Sequence, residues 1–461
     1  MDLEHAEAIL PRYVEAGPRY TSYPTAPVWK ETYDAERFRA DLGRSDVAPG
    51  DGLSLYVHVP FCRSLCHFCA CNRVITRKEE LPARYLDSIE REVVAVREAM
   101  AVPRTATQQH WGGGTPTHLS PFQVRRLFRA VCDAFPMREG AEVSIEVDPR
   151  VTTEAHVEAL RACGMNRISL GVQDFEARVQ DAIHREQSVE QTAALVEQAR
   201  RAGFEGVNFD LIYGLPFQTV DSFARTVDTV LAIAPDRIAL YSYAHVTWVA
   251  KQQRGFERTD LPDPHAKLRI MLMAIRRFLD AGYVYIGMDH FARPDDELAR
   301  ALRDRTLRRN FMGYTTQAGV DLIGFGPSAI SELRDAYAQS ERSLDAWEAA
   351  VLERGLATMR GHQLTDDDRA RRWVITRIMC HGEVRAPEYR EAFGADFASA
   401  YAAELERLDA MVDDGLVERD SDGSLRVTSL GRLLLRNVAM TFDAYLPQQR
   451  RSGAQLFSKT V

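Results

Sequence analysis

The residues best suited to chemistry are four cysteines within ten positions, Cys62, Cys66, Cys69 and Cys71, in HVPFCRSLCHFCACN. Their spacing is C-x3-C-x2-C with one further thiol two residues on. Secreted disulfide frameworks spread their cysteines, whereas a dense cluster in a reducing compartment marks a metal or redox site. Structural zinc takes paired Cys or His from two separated knuckles, and no second C-x2-C or H-x3-H pair exists in this chain. Three thiolates in one short loop instead suit an iron–sulfur cube with one iron left open, where a substrate or cofactor can coordinate. Cys132, Cys163 and Cys380 lie in apolar stretches and read as small buried residues.

Six further residues, in three segments, could serve such a centre. Gly112, Gly113 and Gly114 offer bare backbone and N–H donors to a ligand, although a tight turn would use the same residues. Glu146 alternates with apolar neighbours in SIEVDP and should point inward, where a carboxylate needs partners such as hydroxyl groups or a structural hydrogen bond. Tyr56 and His58 share one face of the strand preceding the cysteines. His58 is either a satisfied core histidine or a group that handles protons or substrate.

The elements that must position these residues alternate regularly. SLYVHV (54–59), QQHW (108–111), EVSIEVD (142–148), RISLGVQ (167–173), GVNFDLIYG (206–214) and RIALYSYA (237–244) read as strands. The helices between and after them are expected near 82–101, 121–135, 153–163, 188–202, 220–233 and 264–281. Six β-then-α units require parallel strands with crossover helices. The pattern fits an α/β partial (β/α)6, TIM-like barrel or an open doubly wound sheet. In both, chemistry belongs at the C-terminal ends of the strands. Residues 1–50 form an N-terminal extension whose GPRYTSYPTAP (17–27) is too irregular for helix or strand. Residues 51–345 hold the barrel and a glycine-containing linking region, and 346–461 a mainly helical C-terminal domain. LVERDSDGSLRVT (416–428) reads as a hairpin and gives that domain a winged-helix look. Residues 365–427 carry nine basic and fifteen acidic side chains, which disfavours phosphate contacts and favours a cap or packing role.

Composition narrows the field further. The 461 residues are 45% hydrophobic and 27% charged, an ordinary globular balance, and the net charge of −8 argues against general nucleic-acid binding. Only five of the basic residues are lysine, so a lone arginine says little about an anion site. No apolar run has the length of a membrane span, and MDLEHAEAIL lacks the layout of a signal peptide. A cytoplasmic protein is expected.

The C-x3-C-x2-C loop after the first strand resembles that of the radical S-adenosylmethionine (SAM) enzymes. In these, three cysteines hold a 4Fe-4S cluster whose open iron is chelated by the methionyl group of SAM. GPRYTSYPT, YVHVPFCRSLCHFCACN, HWGGGTPT, SIEVDP, GVQDF, NFDLIYGLP, GMDHFARPDDEL, RNFMGYTT and GFGPSAIS together resemble the oxygen-independent coproporphyrinogen III oxidases over almost the whole chain. That resemblance implies oxidative decarboxylation of coproporphyrinogen III to protoporphyrinogen IX in haem synthesis, through a 5′-deoxyadenosyl radical. It implies Cys62, Cys66 and Cys69 as cluster ligands and two SAM molecules per active site. Tyr56, Phe68, Gly113, Glu146 and Ile330 would touch the first SAM, and Gly114, Thr115, Gln173, Arg185, Asp210 and Ala244 the second. Cys71 and His58 are the candidate catalytic groups, Cys71 being near the chemistry without ligating the cluster. An electron donor such as a flavodoxin or ferredoxin is implied, with no nucleic-acid or membrane partner and a monomeric state. Two departures lie near the expected cofactor contacts: Thr247 and Trp248 follow YAHV where the family usually has proline, and Pro327 interrupts GFGPSAIS. The rival readings are a haem-binding chaperone of the same superfamily and a radical enzyme that opens or methylates a porphyrin ring.

Overall fold

LSLYVHV, Leu53–Val59, is buried at every position except the half-buried Tyr56, as befits a central parallel strand covered on both faces. This strand, β1, opens a parallel series with Ala106–Gly113 (β2), Met137–Val147 (β3), Arg167–Gln173 (β4), Gly206–Tyr213 (β5) and Arg237–Ser242 (β6). Each strand pairs in parallel with the next in sequence. The computed structural model describes residues 3–44, 52–248, 250–317, 319–453 and 456–460. The domain boundary expected at residue 50 lies outside the described residues.

The crossover helices are Glu80–Ala99 (α1), Pro121–Ala134 (α2), Glu154–Ala162 (α3), Val189–Ala202 (α4) and Val220–Ile233 (α5). Their limits are written locally. Ser120 accepts from the Gln123 N–H ahead of Pro121, and Gln123 returns the bond to the Ser120 N–H, a capping box. Ser188 caps α4 at its start, and Gly203, at φ +90°, ends it in the left-handed region. These helices bury Tyr85, Leu127, Leu160, Val196 and Phe223, and the strands bury Trp111, Ile145 and Phe209.

The sheet continues beyond the region read from the sequence. Asp321–Phe325 (β7) pairs in parallel with the other side of β1, Leu55 opposite Ile323. Ile330–Leu333 (β8), Ala336–Ser340 (β9) and Thr358–Gln363 (β10) follow antiparallel, with helix Leu344–Arg354 between the last two. Part of the expected linking region is therefore sheet. The strands are short and built from Gly, Ala and Ser as much as from β-branched residues, so their pairing rather than their propensity defines them.

By contact, residues 29–262 and 319–363 form one unit, and residues 1–28, 263–318 and 364–461 a second. This partition differs from the contiguous segments 1–50, 51–345 and 346–461, because those follow chain order. Helix Pro264–Asp280, read as the sixth of the β/α series, groups with the second unit. There, Asp366–His381 begins at a Thr365–Asp368 capping box, and the expected hairpin forms from Val417–Arg419 and Leu425–Val427, with Glu383–Val384 as a third strand. The irregular 17–27 segment is held without regular hydrogen bonding. Arg436 donates to the Gly17 and Pro18 carbonyls, and Tyr20 donates to Asp443 at 2.9 Å. Of the three cysteines expected to be buried, only Cys380 is; Cys132 and Cys163 are half-buried, at the end of α2 and the C-cap of α3.

Candidate active site

The cysteine loop leaves the C-terminal end of β1 and is fastened at both ends. Val74 N–H donates to Pro60 O (2.7 Å) and Thr76 N–H to Cys62 O (3.0 Å), forming a two-residue parallel bridge. Gln253, fully buried, donates to the Phe68 carbonyl (2.8 Å) and the Ala244 carbonyl (3.1 Å), and Gln252 donates to the Cys69 carbonyl. The loop opens onto a cavity of about 360 Å³ lined by Cys62, Cys66, Cys69 and Cys71. Phe68 lines it too, backed by the cluster of Val179, Ile183, Ile212 and Tyr243.

Strand register brings the remaining groups to the same level. Tyr56 stands opposite His110 and His110 opposite Ser144, while Glu146 stands opposite Ser169 and Gly171 opposite Asp210. Glu146 accepts from the Gly113 N–H (3.2 Å) and from His110 Nε2 (3.5 Å), whose Nδ1 faces the Ser144 hydroxyl at 2.7 Å. Its recessed position raises the Glu146 carboxyl, but His110 and the Gly113 N–H outweigh this and hold it below the usual range. Asp210 accepts from Ser169 Oγ (3.1 Å) and Asn208 Nδ2 (2.9 Å). Burial and the nearby Glu146 charge push it up to about 7. Arg185 donates to the Gly171 carbonyl (2.7 Å) and to Asp148 (3.1 Å). Gln173 ends β4 at φ +67°, a sparsely populated conformation of the kind found where surrounding structure holds a side chain for use.

The glycine motif is a cradle, not a loose turn. Gly113 has φ +120°, and a Cβ there would sit 2.8 Å from His58 Cε1 and 2.9 Å from the Val59 carbonyl. A Cβ at Gly114 would sit 2.6 Å from the Pro60 carbonyl. Both glycines and Thr115 line the cavity, and the Thr115 hydroxyl is 3.5 Å from Cys62 Sγ. His58 is buried, and burial lowers its proton affinity. Its Nε2 donates to the Asn72 carbonyl (2.9 Å), which leaves Nδ1 to accept from the Tyr56 hydroxyl (3.0 Å).

Of the residues expected to form the site, those from the cysteine loop, Gly113–Thr115, Glu146, Gln173, Arg185 and Asp210 share the cavity lining. Tyr56 and His58 lie behind it, Tyr56 stacked 6.1 Å from His110. Ala244 and Ile330 are outside the lining; Ala244 meets the cysteine loop through Gln253, and Ile330 lies on β8. Missing from the expectation were His110, Asp148, Arg150 and Gln253. Asp148 holds Arg150 (2.7 Å) as well as Arg185, and both arginines reach Cys66 Sγ, at 3.5 and 3.7 Å. Asp148 closes the SIEVDP segment, so its alternation with Glu146 was the available signal.

The donor set fits an iron–sulfur cube. Among the described residues no three His, Cys, Asp or Glu side chains converge on a point suited to a single ion. A cube separates its irons and asks for thiolates spread around a cavity instead. The Cys71 thiol donates to the Cys69 sulfur, which brings Cys69 down to about 6 and pushes Cys71 well above the usual range. Burial pushes Cys62 up to about 11.

A parallel β/α series with three cysteines at the end of its first strand and a glycine cradle at the end of its second defines the radical SAM class. Residues 56–230 match the model of the radical SAM superfamily, and residues 364–434 that of the HemN C-terminal domain. The chain is 45% identical over 454 residues to the oxygen-independent coproporphyrinogen III oxidase of Escherichia coli, and 43% identical over 458 residues to that of Pseudomonas aeruginosa, covering 98% of both partners in each case. Its structure matches the solved coproporphyrinogen III oxidase (HemN) from Escherichia coli, a radical SAM enzyme, with a TM-score of 0.89 at 44% identity over 93% of this chain and 97% of that one. The chain belongs to the oxygen-independent coproporphyrinogen III oxidases.

Proposed function

We propose that this chain converts coproporphyrinogen III to protoporphyrinogen IX, turning two ring propionates into vinyl groups without oxygen. The observation that carries this reading is the convergence of Cys62, Cys66 and Cys69 with Gly113, Glu146, Gln173, Arg185 and Asp210 on one cavity. When bound, a 4Fe-4S cluster and SAM supply one-electron cleavage of SAM to a 5′-deoxyadenosyl radical, the hydrogen-atom acceptor for a propionate β-carbon. Each propionate would then lose carbon dioxide, its remaining electron passing to an external one-electron acceptor.

The protein's part is binding, orientation and exclusion of side reactions. Cys62, Cys66 and Cys69 hold the cluster, and Phe68 offers a ring to the adenine of the first SAM. Gly113 and Glu146 receive the first SAM, the carboxylate being suited to ribose hydroxyls. Gln173, Arg185 and Asp210 receive a second, and Asp210, near neutrality at pH 7, can donate as well as accept a hydrogen bond. Gly114 and Thr115 serve this second site at the cradle, with Ala244 behind it and Ile330 toward the first. His58 keeps its proton on Nε2 and fixes the Tyr56 hydroxyl. Cys71 is kept off the cluster as a protonated thiol near the reacting propionate. The contiguous organisation into extension (1–50), catalytic barrel with its link (51–345) and helical C-terminal domain (346–461) belongs to the same reading. So do a monomeric state, an electron donor such as a flavodoxin or ferredoxin, and a cytoplasmic location without nucleic-acid or membrane partners. No helix of the described residues is long and apolar enough to cross a membrane.

The test is anaerobic incubation of the reconstituted protein with coproporphyrinogen III, SAM and a reductant. Protoporphyrin after oxidation, with released carbon dioxide, is the expected result. Bound haem without turnover would instead identify a haem-binding chaperone, and a methylated or opened ring a different radical enzyme.

A further inference from the structure

Four arginines line the cavity: Arg63, Arg73, Arg150 and Arg185. Asp148 compensates two of them, at 2.7 Å from Arg150 and 3.1 Å from Arg185. Arg63 and Arg73 have no carboxylate at ion-pair distance among the described residues. The Arg73 guanidinium makes one hydrogen bond, from Nη1 to the Cys71 carbonyl at 2.8 Å, and its Nε is buried with no acceptor. A buried guanidinium N–H without an acceptor is costly in a free-standing fold and is resolved when an anion arrives.

Arg73 is also held in place. Its neighbour Asn72 accepts from His58 Nε2 (2.9 Å) and donates to the Arg342 carbonyl (2.9 Å), and the following residue, Val74, donates to Pro60 O (2.7 Å). Backbone fixed on both sides lowers the ordering cost of a contact made there.

The geometry points to Arg73, with Arg63 from the other end of the same loop, as the anchor for a carboxylate of the substrate. The inference rests on the proposed function, which makes the substrate a tetracarboxylate. Two carboxylate sources are present in that reaction, a ring propionate and the methionyl group of SAM. SAM also carries a sulfonium and an ammonium, so two cations with no carboxylate partner disfavour it, whereas a ligand with four negative side chains is drawn to them. The propionate is therefore the assigned partner. Arginine's planar fork suits a carboxylate held bidentately.

The experiment uses anaerobically reconstituted holoenzyme and two probes, coproporphyrin III and its uncharged tetra-amide, with binding read by porphyrin fluorescence. Arg73→Gln should weaken the tetra-acid by roughly 10-fold or more, the loss expected for one charge-assisted contact. Tetra-amide affinity, SAM affinity and iron content should stay at wild-type values, and Arg73→Lys should recover part of the loss. Arg63→Gln provides an independent comparison and should also reduce the preference for acid over amide. Unchanged acid preference in both glutamine variants would overturn the inference, as would weakening of SAM in place of the porphyrin. Wild-type protein that neither binds nor converts the tetra-acid would overturn the functional reading itself, a result distinct from an unaffected variant of an active enzyme.

Discussion

Glu92, on α1, is 3% exposed and lies against no cation among the described residues; it accepts from the Gly326 N–H (2.7 Å) and from Trp347 Nε1 (3.1 Å). Burial raises its carboxyl from an ordinary 4.5 to about 7, the two hydrogen bonds offsetting only part of the penalty. The sign follows from linkage. Between those two values the folded chain binds more protons than the unfolded one, so stability is greatest at acidic pH and falls as pH rises through the window. The slope is ~1.4 kcal/mol per pH unit, so a rise from about pH 5.5 to about 7 removes ~2 kcal/mol, and the curve then flattens. Glu92→Gln cannot ionise and lacks this slope. With one oxygen for two donors it loses a hydrogen bond, a pH-independent offset of ~1–3 kcal/mol. Matched urea titrations of wild type and variant across this range separate the two effects, because the offset is constant and the slope is not. Parallel curves from about pH 5.5 to about 8 would refute the assignment of a raised carboxyl at this position.

Replacing Cys62, Cys66 or Cys69 with Ser should abolish the cluster and SAM cleavage, since a thiolate is a far better ligand for cluster iron; full iron and sulfide content in any of the three would remove that cysteine from the ligand set. Gly113→Ala places a Cβ 2.8 Å from His58 at a left-handed φ, so SAM affinity measured on the reconstituted protein should fall at least ~10-fold while iron is retained. Glu146→Ala and Asp210→Ala should each fold and each lose one of about two SAM equivalents seen by equilibrium dialysis; a single equivalent, indifferent to Asp210→Ala, argues against two sites. Cys71→Ser should keep the iron content and visible spectrum but lose most vinyl formation, and normal turnover would make Cys71 a packing residue.

The barrel series was legible because period and punctuation agree. RISLGVQ and Val220–Ile233 occupy the expected positions, the latter because Thr219 and Ser222 write its start. The strands after Gly319 were not legible: DLIGF, ISEL and AYAQS lack alternation, and the first of them pairs with β1, far away in sequence. In the site, the cysteine spacing states its chemistry outright, whereas the glycine run was equally open to a tight turn. Arg73 and Arg150 do not state theirs, because arginine is the common cation of this chain and only the fold decides which guanidinium finds Asp148 and which finds no carboxylate.

The pairing of β7 with β1 has a consequence for biosynthesis. Leu55 meets Ile323 across a sheet whose other parallel strands join in chain order. While the ribosome makes the intervening stretch, one edge of the first strand, in which Leu53, Leu55, Val57 and Val59 alternate with Ser54, Tyr56 and His58, has no native neighbour. At ~5–20 residues per second, a separation of roughly 270 residues keeps that edge open for about 13 to 55 seconds. An unpaired strand edge recruits other strands during that interval. Slower translation between the codons for β1 and β7 should therefore lower the soluble yield of this protein, and a co-translational holdase should restore it.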